Sequence, residues 1–340
     1  MSSAQVATRI PDARVSFCRP ELDILRFGAF LLVFLHHALP HSGWVLAGAA
    51  RAGALGVDLF FALSAYLITE LLLRERRSFG AVDIRAFYIR RILRIWPLYY
   101  FALLILAPAM SILPGEHMHW TYLVAFALFG GNWACATWGY PPGSFSLLWS
   151  VSIEEQFYLT WPWLVRLGVR RLRIIAYGML AAATATRAVL VMRDVHHPGI
   201  WCNTLARLDP IAGGALLACF LNGSMPEQSR RARVLWTCGG GTLLVGSGAF
   251  GNNTGWPVLV TYPLAAAASV AIIFGTLGSR MRTGGYLGKI SYGLYVFHVA
   301  VIRITPSPIL ALPLTIGIAA LSYRYLESPF LRLKDRFARL

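Results

Sequence analysis

The chain has 340 residues, of which 57% are hydrophobic and 14% are charged. Soluble proteins carry about 45–50% apolar and roughly 25% charged residues, and a water-soluble chain of this length could not bury so much apolar surface. The composition therefore excludes a soluble enzyme, a disordered protein and a small disulfide scaffold. It predicts an integral membrane protein.

The net charge is +16, from 31 Lys and Arg residues against 15 Asp and Glu residues. Cytoplasmic loops of membrane proteins are rich in Lys and Arg. The orientation of the protein in the membrane therefore explains the excess of positive charge better than nucleic-acid binding does, because nucleic-acid binding needs a soluble basic surface. The five cysteines lack metal-ligand spacing, so no metal and no bound cofactor is expected. Residues 1–20 are polar and basic and do not resemble a signal peptide.

The chain contains a series of apolar stretches. Each approaches the length of a membrane-spanning helix, which is about 20 residues. They lie at 22–41, 54–73, 92–113, 148–165, 174–192, 206–221, 234–250, 257–277, 286–304 and 309–326, with a shorter stretch at 121–131. If 121–131 does not cross, the basic clusters all fall on one side of the membrane, with Arg51 as the clear exception. If it did cross, every cluster from Arg166 onward would lie outside, against the positive-inside rule.

The sequence therefore predicts an all-α, polytopic membrane protein with about ten transmembrane helices and both termini in the cytoplasm. Within the outer segment 114–147, the stretch 121–131 is expected to be re-entrant or to lie on the surface. Non-helical backbone at membrane depth must be buried in protein or face a wet cavity. One membrane domain at 21–331 is predicted, between cytoplasmic tails at 1–20 and 332–340.

The first span contains an arginine and a histidine at a meaningful spacing. Arg26 and His37 are eleven residues apart, which places them on one helix face, about 16 Å apart along the axis. Charged groups within spans are costly and usually mark a pathway or a site. The alternative is a snorkelling arginine and a hydrogen-bonded structural histidine.

Two adjacent carboxylates, Glu154 and Glu155, follow the outer segment. They could satisfy N–H groups and the dipole at the start of a helix. The predicted topology also places them in the same half of the membrane as His37. A carboxylate there is suited to orient an imidazole that acts as a base.

A third cluster, Arg90, Arg91 and Arg94, opens a span at the predicted cytoplasmic depth of Arg26. The positive-inside rule alone would explain it. Guanidinium groups also match phosphate groups well, so a phosphate-bearing donor from the cytosol is expected to bind there.

Four more polar residues lie within or at the ends of spans. Asp58 is near the outer end of the second span, and His298 is on the outer side of the ninth. Arg207 and Asp209 are two residues apart and are interpreted as a structural ion pair unless they bind substrate. A single histidine in a span is more often structural than functional.

Seven short motifs follow one another in order over residues 21–331. They are an arginine and a histidine separated by ten residues (26 and 37), GVDLFF (56–61), FYxRRxxRIxPLY (87–99), WSxSxEEQFY (149–158), RxDxxxxG (207–214), SYxLYxxH (291–298) and ExP (327–329). In this order they resemble the membrane-bound acyltransferase-3 family, which O-acylates sugars and related small molecules.

The resemblance implies transfer of an acyl group, most simply acetyl from acetyl-CoA, to a hydroxyl of a carbohydrate or glycosylated acceptor. His37 would be the general base or would itself be acylated, with Glu154, and Glu155 next to it, orienting its ring. Donor or substrate contacts are expected from Arg26, Arg90, Arg91, Arg94, Asp58, Trp149, Ser150, Arg207, Asp209 and His298. The implied location is the cell's inner (plasma) membrane.

Many relatives carry a C-terminal soluble esterase-like domain that completes the transfer. This chain is expected to act alone or with a separate soluble transferase partner. The competing hypothesis is a transporter or flippase of a glycolipid or acylated saccharide, because intramembrane Arg, His and carboxylates also describe a carrier. Helices broken by Gly or Pro in matching halves, which favour a carrier, are not evident in the sequence.

Overall fold

A computed structural model describes residues 19–39, 44–251, 254–279, 285–305 and 307–337. Over these ranges the regular structure is helical and contains no strand, which confirms the all-α prediction. The helices are α1 (Pro20–Ala38), α2 (Trp44–Ala54), α3 (Gly56–Phe79), α4 (Ile84–Phe101), α5 (Ala107–Met110), α6 (Trp120–Ala127), α7 (Gly131–Trp138), α8 (Trp149–Val165), α9 (Val169–Met192), α10 (Leu208–Leu221), α11 (Arg230–Ala249), α12 (Val258–Thr276), α13 (Gly285–Lys289), α14 (Ser291–Ile304), α15 (Pro308–Ser322) and α16 (Ser328–Asp335).

Short non-α turns join some of these helices. Ala102–Leu106 and Tyr323–Glu327 are π-helical and continue α4 and α15, while Ser146–Leu148 and Leu205–Arg207 are 3-10 turns before α8 and α10. Most of the predicted N-terminal tail, at 1–18, lies outside the described residues, as does 338–340. The predicted C-terminal tail at 332–340 begins within α16, so at least its first residues are helical.

Five helical segments are long and apolar enough to cross a membrane. They are Ala50–Phe79, Ile84–Met110, Val169–Met192, Val258–Thr276 and Pro308–Lys334. The other predicted spans also coincide with helices, namely α1, α8, α10, α11 and α14, but these helices are shorter, less apolar or more highly charged. A multi-pass membrane protein is therefore supported, while the count of about ten crossings stays a prediction.

Very close helix contacts hold the bundle together. A Cβ atom on Gly214 in α10 would lie 2.1 Å from the carbonyl oxygen of Ala62 in α3. A Cβ atom on Gly288 in α13 would lie 2.0 Å from the carbonyl oxygen of Asp23 in α1. Small residues allow such backbone approaches, on which packing within membranes depends. These contacts fix α10 against α3 and α13 against α1.

The predicted outer segment folds into a helical hairpin, α6 and α7, whose turn packs against α4 and α8. The Tyr99 and Tyr100 hydroxyls donate hydrogen bonds to the carbonyl oxygens of Phe126 (2.7 Å) and Ala127 (2.9 Å). Gln156 Nε2 donates to the carbonyl oxygen of Phe129 at 2.9 Å. Carbonyl groups at the end of α6 are thus satisfied by side chains of neighbouring helices. The depth of the hairpin in the membrane stays a prediction.

Candidate active site

A cavity of about 740 Å³ opens among α1, α3, α4, α8, α14 and α16. Its charged lining residues are Arg19, Arg26, Arg90, Arg91, Arg94, Lys289 and Lys334, against Asp23, Glu75 and Glu154. Seven cations therefore face three carboxylates. Further in, the wall becomes apolar, with Val57, Phe60 and Phe61 of α3. A cationic mouth that leads to an apolar interior suits a ligand with phosphates at one end and a short apolar group at the other.

The start of α4 is fixed by its N-cap, and this positions the three predicted arginines. The Asp83 carboxylate accepts a hydrogen bond from the backbone N–H of Ala86 at 2.9 Å, the usual N-cap contact. Asp83 N–H in turn donates to Glu75 Oε1 of α3 at 2.8 Å. The next two turns of α4 carry Arg90, Arg91 and Arg94 into the cavity wall.

The arginines differ in how their charge is compensated. Arg26 pairs with Asp23 at 2.7 Å, and Arg90 pairs with Glu75 at 3.3 Å. Arg90 also donates to the carbonyl oxygen of Phe337 at 2.8 Å, which ties the residues after α16 to the cavity rim. Arg91 lies over the rings of Phe87 and Tyr158, 5.7 and 5.8 Å from their centroids. Aromatic faces orient a guanidinium without neutralising its charge.

Glu154 and Glu155 point in different directions. Glu154 lines the cavity and accepts a hydrogen bond from Ser64 Oγ at 2.6 Å. Glu155 accepts from Trp96 Nε1 at 3.2 Å, and its other oxygen is buried without a hydrogen-bond donor among the described residues. The two carboxylates therefore do not act as a pair.

His37 is hydrogen-bonded to His298 rather than to the predicted Glu154. His37 Nδ1 lies 2.9 Å from the carbonyl oxygen of Val33 and 3.2 Å from His298 Nε2. His298 is fully buried, whereas His37, in the last turn of α1, is exposed. The histidine partner was not predicted, because sequence distance gives no sign that α1 and α14 meet at these positions.

The backbone carbonyls determine the tautomers of both rings. A carbonyl oxygen only accepts hydrogen bonds, so His37 Nδ1 must carry its proton toward Val33. His298 Nδ1 must likewise donate to the carbonyl oxygen of Tyr295, 2.7 Å away. His298 Nε2 is therefore an acceptor, and the one proton on His37 Nδ1 is shared between it and the nearer carbonyl oxygen of Val33. In the neutral ring, the lone pair of His37 is then on Nε2, the arrangement that a general base requires.

Tyr295 separates the cavity from the two histidines. Its ring lines the cavity and lies 5.7 Å from the His298 ring, centroid to centroid. Its hydroxyl contacts Ser150 Oγ at 2.7 Å and donates to the carbonyl oxygen of Leu147 at 3.2 Å. Ser150, predicted from the motif, thus lies at the inner end of the cavity. Sequence analysis did not single out Tyr295, although it lies within the motif that contains His298.

The predicted ion pair between Arg207 and Asp209 is wrong. Arg207 pairs with Asp58 of α3 at 2.8 Å, and Asp209 pairs with Arg187 of α9. All four side chains are nearly or fully buried, and none lines the cavity described above. At positions 207 and 209 the chain enters α10, so the two side chains diverge toward different helices. Arg187 was missed, although an arginine within an apolar stretch is itself a signal.

Trp149 also lies within this buried region and not on the cavity wall. Its ring lies 6.4 Å from Phe61 and 5.9 Å from Trp201, centroid to centroid. Arg207 in turn lies over Trp201 at 4.1 Å and over Tyr262 at 4.4 Å. Trp149, Asp58, Arg207 and Asp209 thus contact other buried side chains and do not line the cavity, and their contact with donor or substrate stays a prediction.

The helical bundle and its apolar spans define a multi-pass membrane protein with a cationic cavity, and comparison with known proteins gives its family. A family model described as an acyltransferase domain matches residues 19–323. The chain belongs to this family, acyltransferase-3. No solved structure matches the chain.

Curated relatives cover nearly all of the chain. A Staphylococcus aureus (strain COL) protein that bears the provisional name O-acetyltransferase is 27% identical over 353 residues, which cover 92% of this chain and 57% of the relative. The peptidoglycan O-acetyltransferase OatA of Listeria monocytogenes is 25% identical over 358 residues, which cover 91% and 55%. The chain spans about half the length of the curated relatives it matches.

We predict that Arg207→Met strongly destabilises the protein, because it leaves the carboxylate of Asp58 buried without its cation. Breaking a buried pair costs about 3–5 kcal/mol, whereas replacing both partners by apolar residues is often neutral. The thermal unfolding midpoint in detergent should therefore fall for Arg207→Met and largely recover in the double variant Asp58→Leu/Arg207→Met. Equal midpoints for the single and double variants would contradict this account.

Proposed function

We propose that this chain is a membrane O-acetyltransferase that moves an acetyl group from acetyl-CoA to a hydroxyl of a carbohydrate acceptor. One observation carries the proposal: the cationic cavity ends at Tyr295, whose ring contacts His298, and His298 is hydrogen-bonded to His37, an exposed histidine whose tautomer suits a base. The O-acetyltransferase names of the relatives support the reaction, and the peptidoglycan acceptor of OatA supports the carbohydrate.

The proposal places the donor at the cytoplasmic side. The CoA phosphates would be bound by Arg26, Arg90, Arg91 and Arg94, since guanidinium groups bind phosphate oxygens in paired geometry. The thioester end would enter the apolar wall near Phe60 and Tyr295. Glu154, hydrogen-bonded to Ser64, would position the donor from the opposite wall. This arrangement favours a short acyl group, because Tyr295 and Ser150 close the inner end.

The acceptor would approach His37 from the outer side, where the ring is exposed. His37 Nε2 would take the proton of the acceptor hydroxyl as its oxygen attacks the thioester carbonyl carbon. The carbon–sulfur bond breaks, and the CoA thiolate leaves and is protonated. The imidazolium formed would be held by the Nε2 lone pair of His298, which replaces Glu154 as the orienting group. Tyr295 must move aside for the thioester to reach the base.

In this proposal the spans cross the inner membrane about ten times, both termini are cytoplasmic, and the hairpin of α6 and α7 re-enters from outside. The distance supports a reaction across the bilayer, because Arg26 and His37 lie about 16 Å apart along α1. Where the acceptor does not reach His37, a separate soluble partner would transfer the acetyl group to it.

We predict that His37→Gln lowers the turnover of acetyl-CoA by about 10²- to 10⁴-fold, the usual contribution of a general base. The assay measures thiol release from acetyl-CoA by purified protein in liposomes, with host glycans as acceptor. His196→Gln, a change at an exposed histidine in the loop after α9, is the matched control and should retain activity. Turnover by His37→Gln close to wild type would overturn the mechanism. If the protein instead moves a labelled glycolipid across the liposome membrane without consuming acetyl-CoA, the transporter hypothesis is supported.

We predict that His298→Phe lowers kcat at least about tenfold while the KM for acetyl-CoA stays unchanged, because the residue orients the base and does not touch the donor. His298→Gln, whose amide oxygen can accept from His37 Nδ1–H, should recover part of the loss. If both variants lose activity equally or raise KM, His298 is only a packing residue.

The arginine cluster can be tested with a donor that lacks the nucleotide phosphates. We predict that wild-type protein prefers acetyl-CoA to S-acetylpantetheine and that Arg91→Gln reduces this preference by raising the KM for acetyl-CoA alone. Arg85→Gln, at an exposed arginine outside the cavity, is the control. An unchanged preference in Arg91→Gln would exclude phosphate recognition by this residue.

A further inference from the structure

The sequence contains only two lysines, and both line the cavity described above. All other members of its 31 Lys and Arg residues are arginines. Lys289 lies in α13 and Lys334 in α16, and both belong to the cavity wall. Lys289 is exposed and Lys334 is half-buried, as expected of side chains at an open rim. The proposed donor site uses the arginines and gives these two lysines no role.

The packing of α13 against α1 places Lys289 at the cytoplasmic end of the cavity. Gly288, the preceding residue, approaches the backbone carbonyl of Asp23, which lies in the first turn of α1. Under the proposed topology α1 begins at the cytoplasmic side, so Arg26 lies about one turn deeper. The backbone of Lys289 is therefore nearer to the cytoplasm than that arginine.

Lys334 reaches the same end of the cavity from α16. Three residues further on, the carbonyl oxygen of Phe337 accepts a hydrogen bond from Arg90 Nη1 at 2.8 Å. Arg90 lies near the start of α4, which also begins at the cytoplasmic side in the proposed topology, and Arg94 follows one turn deeper. The two lysines thus come from different helices and line the cavity on the cytoplasmic side of the arginines that reach furthest in.

The order of charges along the cavity corresponds to the order of groups in acetyl-CoA. Behind the thioester and the pantetheine arm come a pyrophosphate and then an adenosine with a phosphate on its ribose 3′ oxygen. A phosphate monoester carries about −1.5 to −2 charges at pH 7, more than either phosphate of a pyrophosphate diester. A lysine ammonium is a compact point charge with rotatable donors, which suits such a terminal phosphate, whereas the arginine fork binds oxygens in pairs.

We propose that Lys289 and Lys334 bind the 3′-phosphate of the donor, so that the protein distinguishes CoA from acyl donors that lack this group. The arginines of α1 and α4 then face the pyrophosphate. Tyr323 and Leu331, in the segment that leads to Lys334, also line the cavity and offer an apolar surface to the adenine. The inference rests on the proposed function, because it takes acetyl-CoA as the donor in this cavity.

The test measures equilibrium binding of CoA and of 3′-dephospho-CoA to the purified chain in phosphatidylcholine nanodiscs. We expect the wild type to bind CoA at least about tenfold more tightly, the usual effect of hydrogen bonds to a charged group. In Lys289→Gln/Lys334→Gln this preference should largely disappear while the affinity for 3′-dephospho-CoA stays unchanged. Lys289→Arg/Lys334→Arg keeps both charges and should retain the preference. The control Arg332→Gln, at an exposed position of α16 outside the cavity, should retain it too.

A second measurement uses the wild type alone and does not depend on how the variants fold. An amine-reactive ester modifies lysines, and mass spectrometry gives the rate of modification at each of the two. At equal occupancy, CoA should slow the modification of Lys289 and Lys334 more than 3′-dephospho-CoA does. Equal slowing by the two ligands overturns the proposal. So do equal affinities in the wild type, an undiminished preference in the glutamine variant, or no binding of CoA.

Thiol release from acetyl-CoA, measured separately, separates this site from the proposed function. Protein that prefers CoA in binding but releases no thiol has the phosphate site and is not the acetyltransferase. Protein that turns over acetyl-CoA and its 3′-dephospho form with equal KM is the enzyme and lacks the site.

Discussion

A charge inside an apolar helical bundle must be paired or reach water, and this requirement organises the structure. Where pairing is used, Asp58 with Arg207 and Asp209 with Arg187 join α3, α9 and α10. The arginines of α1 and α4 line the cavity, and two of them, Arg26 and Arg90, are also paired with Asp23 and Glu75. Removing one partner of a buried pair leaves an uncompensated charge, so the framework and the site depend on the same physical constraint.

The proposed chemistry divides between two regions that meet at Tyr295. On one side, excess positive charge attracts a phosphate-bearing donor. On the other, two backbone carbonyls and two imidazoles fix one proton arrangement, which leaves the lone pair of His37 on Nε2. Neither region alone explains an acyl transfer. Tyr295 and His298 together connect the cavity with His37, and the proposal has a donor on one side of the membrane serve an acceptor on the other.

Much of the fold could be predicted, because hydropathy and the positive-inside rule act locally. Every predicted span coincides with a helix, and 121–131 coincides largely with α6. The arginine cluster, Glu154 and Ser150, which lie in separate motifs, line one cavity, while their roles stay predictions. The partners of the charged side chains were less predictable than the helices. Arg207 and Asp209 are near in sequence but diverge, because each turns toward a different helix.

The sequence by itself determined the class of protein, the helical segments and the residues worth attention, since these follow from composition, periodicity and motif order. Only the tertiary structure decided that His298 and not Glu154 contacts His37, that Tyr295 lines the inner end of the cavity, and that Arg207 pairs with Asp58. The physical reason is that such contacts join residues distant in the chain. They arise from the rotation and close approach of whole helices, set by small residues such as Gly214 and Gly288.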